Sequence, residues 1–135
     1  MIINTRLLMS LSAMSLMALG VVLNFLPGES YQAISNTTTE PASALAIQLL
    51  GGALFGFGMI NWTARGNLIG GIYNKPVAIG NFAHFLIGSL ALVKASVGKN
   101  PFVIALIAYY ALFAIAFCYV MMTHPIKEKT SGASQ

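Results

Sequence analysis

The chain has 135 residues, 57% of them hydrophobic and 7% charged, with a formal net charge of +4. A soluble domain carries roughly 25% charged residues, and one this small leaves too much surface in water to hide so many apolar side chains, so a water-soluble domain is excluded. The basic residues stand singly at the ends of apolar stretches, which excludes a nucleic-acid reader and suits anchors at lipid headgroups.

Arg6 precedes the first apolar stretch, residues 7–26. It is close to the roughly 20 residues that cross ~30 Å of hydrocarbon. Arg6, the apolar run and Ala18-Leu19-Gly20 also imitate a cleavable signal peptide. The run continues through Val21-Val22-Leu23 to Phe25-Leu26, longer than such a core, and favours a retained membrane helix. Pro27-Gly28 stops it, and residues 27–41 read as a polar loop with Glu29 and Glu40 but no Lys or Arg. Asn36-Thr37-Thr38 in that loop matches a glycosylation sequon, a frequent chance match.

The second stretch is residues 42–64, with Pro41 at a first helical position. A turn carrying Arg65 and Lys75 leads to the third stretch, residues 76–93, opened by Pro76. Lys94 and Lys99 flank the next turn, and Asn100-Pro101 forms an N-cap and first position for the fourth stretch, residues 101–123. Pro125 ends it, and residues 126–135 form a polar tail with Lys127 and Lys129. The pattern predicts an all-α, polytopic membrane protein. Residues 1–125 form an antiparallel bundle of four transmembrane helices, followed by a cytoplasmic tail. Placing both termini in the cytoplasm puts Arg6, Arg65, Lys75, Lys127 and Lys129 inside and only Lys94 and Lys99 outside, as the positive-inside rule favours.

Small residues recur at helical spacing. Gly52 and Gly56 lie four apart, and Gly80, His84 and Gly88 repeat that step in the third stretch. Residues four apart share a helix face, and glycine lets two backbones approach where lipid supplies little hydrophobic force. Gly52, Gly56, Gly80 and Gly88 are therefore expected at a packing seam between the second and third spans, or at a dimer seam. His84 is an ionisable group inside a span, where such groups are costly and face the bundle interior. Counted from Pro76 it lies about 12 Å deep. A polar cluster of Asn61, Asn81, His84 and Tyr119 is expected there, either as an interhelical hydrogen-bond network or as a ligand-binding site. At the shorter turn, Trp62, Arg65, Tyr73 and Lys75 are expected to contact lipid headgroups or a partner.

Several chemistries are argued down. The acids Glu29, Glu40 and Glu128 all lie outside the spans, so no carboxylate pair is available within the membrane. His84 and His124 differ in depth and make a thin metal site. Cys118 is the single cysteine, so no intrachain disulfide forms. No catalytic residue, metal or cofactor is predicted.

Asn61-Trp62-Thr63-Ala64-Arg65, then Gly70-Gly71-Ile72-Tyr73, Pro76, Gly80-Asn81 and His84 resemble the middle of small bacterial four-helix membrane proteins, some grouped with DoxX-like proteins. The resemblance implies a bacterial inner-membrane location and a four-helix fold, and it brings no catalytic residues. The expected function is a non-enzymatic scaffold or accessory subunit that binds a partner membrane protein, a second copy or lipid, with no nucleic acid. The alternatives are a carrier for a hydrophobic, quinone-like molecule around His84, or a subunit of a membrane oxidoreductase.

Overall fold

The computed structural model describes residues 4–35, 37–95 and 100–123. They form five helices and no strand: α1 (Thr5–Phe25), α2 (Pro27–Ser35), α3 (Pro41–Ala64), α4 (Lys75–Ala95) and α5 (Pro101–Met122). The helices α1, α3, α4 and α5 are each long and apolar enough to cross a membrane. The protein is an all-α, multi-pass bundle of four transmembrane helices. His124, Pro125 and the tail 126–135 lie outside the described residues, as do Asn36 and Lys99.

Local chemistry sets the helix ends. The Asn4 side chain accepts from the Leu7 N–H at 3.2 Å and caps α1. Asn100 does the same for α5, accepting from the Phe102 N–H at 3.0 Å, with Pro101 in the first turn where its missing N–H costs little. Pro41 serves α3 in the same way.

The stretch after α1 differs from the polar loop expected over residues 27–41, because its first part is the nine-residue helix α2. Pro27 cannot continue α1, yet its fixed φ suits the first turn of a new helix, and Glu29 in that turn complements the helix dipole. At about 14 Å, α2 is too short to span. It caps the bundle end: the Thr39 hydroxyl donates to the Gly28 carbonyl at 3.2 Å, and the Asn100 amide donates to the Ala33 carbonyl at 2.7 Å.

The four long helices pack as two intimate antiparallel pairs, α1 with α3 and α4 with α5. This corrects the expectation of a glycine seam between the second and third spans. The close glycine contacts lie between α1 and α3 instead. A Cβ at Gly20 would stand 2.6 Å from the Gly51 carbonyl oxygen, one at Gly51 would stand 2.7 Å from the Gly20 oxygen, and one at Gly58 would stand 2.9 Å from the Ala13 oxygen. No side chain fits there. Gly52 and Gly56 point away from every neighbour, with no atom within 4 Å of an added Cβ. Gly80 faces the Phe57 ring of α3 at an ordinary 3.8 Å, and Gly88 is filled from α5, with Tyr110 Cε1 2.5 Å from where a Cβ would sit.

The α4/α5 seam is aromatic. Phe85 is fully buried and stacks with Phe113 and Phe117 at centroid distances of 4.9 and 5.8 Å. Large apolar side chains such as Leu49, Ile87, Leu112 and Ile115 point outward, into the layer that solvates them.

The link between α3 and α4 is tightly built. Gly70 and Tyr73 exchange both backbone hydrogen bonds at 3.0 Å, and the Asn74 amide donates to the Leu68 carbonyl at 2.9 Å. Gly70 and Gly71 have φ of 131° and 56°, a region that glycine enters without strain. Ile69 is tucked into the bundle at 1% exposure and pins the turn in place.

Candidate functional site

Asn61 faces the interior from the last turns of α3, and Asn81 meets it from the second turn of α4. Their carboxamides pair reciprocally. Asn61 Nδ2 donates to Asn81 Oδ1 at 2.6 Å, and Asn81 Nδ2 donates to Asn61 Oδ1 at 2.7 Å. The second proton of Asn61 goes to Ser12 Oγ of α1 at 3.1 Å, and that of Asn81 goes to the Val77 carbonyl at 2.9 Å. The Ser12 hydroxyl in turn donates to the Met9 carbonyl at 3.0 Å. All three side chains are buried and every polar proton has an acceptor. Chemically this is a closed clasp joining three helices. With no proton left to offer, a ligand would have to break an existing bond to bind here.

A second polar link crosses the bundle one turn further along α1. The hydroxyls of Ser15 and Tyr109 of α5 share a short hydrogen bond. The two helix pairs are thus tied by Asn61–Asn81 on one side and Ser15–Tyr109 on the other.

His84 stands apart from the clasp. One helical turn beyond Asn81, its ring lies among Phe57 at 5.0 Å, Phe85 at 5.1 Å and Tyr110 at 5.6 Å between centroids. Its Nε2 is buried with no hydrogen-bond partner. A buried ring nitrogen without a partner is uncommon, since such groups are normally satisfied. Tyr119 does not join either group through a hydrogen bond to Asn61, Asn81 or His84; its carbonyl accepts from the Thr123 hydroxyl at 2.9 Å. The expected cluster therefore separates into an Asn61–Asn81 clasp, an aromatic box around His84, and Tyr119 elsewhere on α5.

Ser12, Ser15, Phe57, Tyr109 and Tyr110 complete these two groups. The hydroxyl-bearing residues were visible as polar groups inside apolar runs, but nothing in their spacing marked which of them would meet.

At the α3–α4 turn, the guanidinium of Arg65 lies over the Trp62 ring, with Cζ 3.2 Å from its centroid, a close cation–π contact. Arg65 Nη1 is buried and unpartnered. Tyr73 and Lys75 are exposed on the closed turn, as are the apolar side chains of Leu68 and Ile72. No group of three or more metal-ligating side chains occurs among the described residues.

Comparison of the chain with family models, curated proteins and solved structures gave no match.

Proposed function

We propose that the protein is a non-enzymatic accessory subunit that receives a transmembrane helix of a partner membrane protein on the outer face of α1 and α3. The observation that carries this reading is the pair Gly52 and Gly56, four residues apart with open space where a side chain would be. Glycine inside a helix costs roughly 1 kcal/mol relative to alanine. At Gly20, Gly51 and Gly58 that cost is offset by backbone contact between α1 and α3. Gly52 and Gly56 gain no such contact within the chain. A fluid acyl chain draws little from a flat strip, whereas a second helix can lay its backbone on it.

Beside Gly52 runs a groove of about 300 Å³ lined by Gly20, Val21, Asn24, Gly51 and Phe55. Its outer end is closed by Asn24 and Gln48, whose amide groups donate to each other's backbone carbonyls at 3.2 and 3.3 Å. Their side-chain oxygens accept nothing from the described residues, so a partner helix with a hydroxyl or amide donor at that level fits best. In this reading the protein sits in a bacterial inner membrane with both termini cytoplasmic. That location is what the resemblance of residues 61–84 to small bacterial four-helix membrane proteins would imply.

The test is a Gly52→Leu/Gly56→Leu double variant, purified gently and weighed intact by native mass spectrometry. Association with a partner falls by about tenfold or more if two helices lose close contact, while the unfolding transition stays in place. Complexes that survive the double substitution would sink the reading. A homodimer lost by the same substitution would replace the partner with a second copy.

A second reading rests on the orphaned Nε2 of His84. A hydrophobic ring molecule bearing a carbonyl, of the quinone class, would satisfy that nitrogen between Phe57 and Tyr110. It predicts that the purified protein yields an extractable, ultraviolet-absorbing ligand that His84→Phe fails to retain. An empty wild-type protein would discard it.

A further inference from the structure

We propose that the α3–α4 turn binds the phosphate of an anionic phospholipid headgroup, with Arg65 as its main ligand and Lys75 as a second cation. Three observations on different residues converge there.

The first is a cation with no acid near it. Arg65 stands at the C-terminal end of α3, and its Nη1 is buried without an acceptor. Guanidinium cannot shed its charge, and each of its N–H groups needs an acceptor when water is excluded. None of the described acids is at this end. Glu40 caps the opposite end of the 24-residue α3, about 36 Å away at 1.5 Å per residue, and Glu29 lies in α2 beside that same far end. The described chain thus supplies no carboxylate for Arg65 at this end.

The second is orientation. Stacking on Trp62 at 3.2 Å holds the guanidinium plane in one place, so little freedom is lost when it forks onto two oxygens of a phosphate. The third is the platform. The Gly70–Tyr73 exchange and the Asn74–Leu68 bond lock the turn, and Ile69 anchors it. Leu68 and Ile72 are 52% and 73% exposed at its tip. Rigid apolar tips flanked by a tryptophan, a tyrosine and two cations suit the boundary between acyl chains and headgroups. A soluble phosphate would make no use of Leu68 and Ile72, which is why a lipid is the assigned source.

Trp62 is the only tryptophan of the chain, so its emission reports on this site alone. The protein in neutral detergent is titrated with phosphatidylglycerol, with phosphatidylcholine, and with inorganic phosphate. The expected result is a saturable change with phosphatidylglycerol alone. Arg65→Gln weakens the apparent affinity about tenfold, as for loss of a charge-assisted bond. Lys75→Gln weakens it about fivefold, as for one surface cation. Arg65→Lys keeps the charge but loses the fork, and falls between wild type and Arg65→Gln. Equal responses to the two lipids overturn the proposal, as does an unchanged titration in a folded Arg65→Gln variant. A response to inorganic phosphate that phosphatidylglycerol does not exceed overturns the lipid as source.

Discussion

The α1/α3 and α4/α5 pairs meet the same difficulty with opposite materials. In lipid, two apolar helices gain little by merely touching, because acyl chains solvate them as well as another helix does. The α1/α3 pair answers by removing side chains, so that Gly20 and Gly51 bring two backbones together. The α4/α5 pair answers by interlocking large ones, with Phe85 stacked among Phe113, Phe117 and the adjacent tyrosines. In the first pair close approach carries the association, and added volume is the threat. In the second, filled volume carries it, and lost volume is the threat. Between the two pairs, hydrogen bonds such as Asn61–Asn81 cross beside apolar contacts such as Phe57 against Gly80 and His84.

Three substitutions sharpen this contrast, each read by reversible unfolding in mixed micelles. The largest effect is expected for Phe85→Ala, which empties the centre of the aromatic stack and costs about 3–5 kcal/mol. A loss under about 1 kcal/mol would mean that the stack is not what holds α4 to α5. Next comes Gly20→Ala, whose methyl has nowhere to go but into the Gly51 backbone, with an expected loss of about 1–3 kcal/mol. Gly52→Ala is its control and shifts stability by no more than about 0.5 kcal/mol. Equal effects at the two positions would erase the distinction between seam and open glycines.

A further test concerns the link between pairs, where the coupling is expected to be small. Asn61→Leu leaves the Asn81 amide half-satisfied and costs about 1–2 kcal/mol. Adding Asn81→Leu recovers part of that, with a coupling energy of about 0.6 kcal/mol typical of hydrogen bonds within membranes. Strictly additive losses would show that the two amides do not act as a unit.

The helix boundaries were legible because prolines and capping asparagines act locally. Asn100-Pro101 needs no knowledge of the rest of the chain to start a helix. The helix α2 was not legible, since Pro27-Gly28 and a polar composition read as a break, and only its packing against the bundle end makes a helix there. The pairing of helices was hidden for a different reason. Glycine spacing marks a face but does not say which neighbour uses it. Gly52 and Gly56 have the more familiar spacing, yet Gly51 and Gly58, seven apart, are the ones in contact.

The site suffered the same loss of direction. Depth along a helix follows from the rise per residue, but azimuth does not. Asn61 and Asn81 shared a level and also faced each other. Tyr119 stood at a compatible depth but makes no hydrogen bond to either amide. His84 lies three residues from Asn81, a rotation of about 60° on a helix. That was enough to turn it from the amides toward Phe57 and Tyr110.

The pairing also bears on how the chain is assembled as it is made. α4 and α5 are consecutive spans, so they can close on each other as soon as both are synthesised. α1 has no partner until α2 and all of α3 have followed, and it waits in the bilayer with Gly20 and its serines exposed to lipid. Biogenesis thus falls into two half-molecules joined by the ten residues of the closed turn. The Asn61–Asn81 clasp joins the halves across that turn, and the Ser15–Tyr109 bond cannot form until α5 has been made.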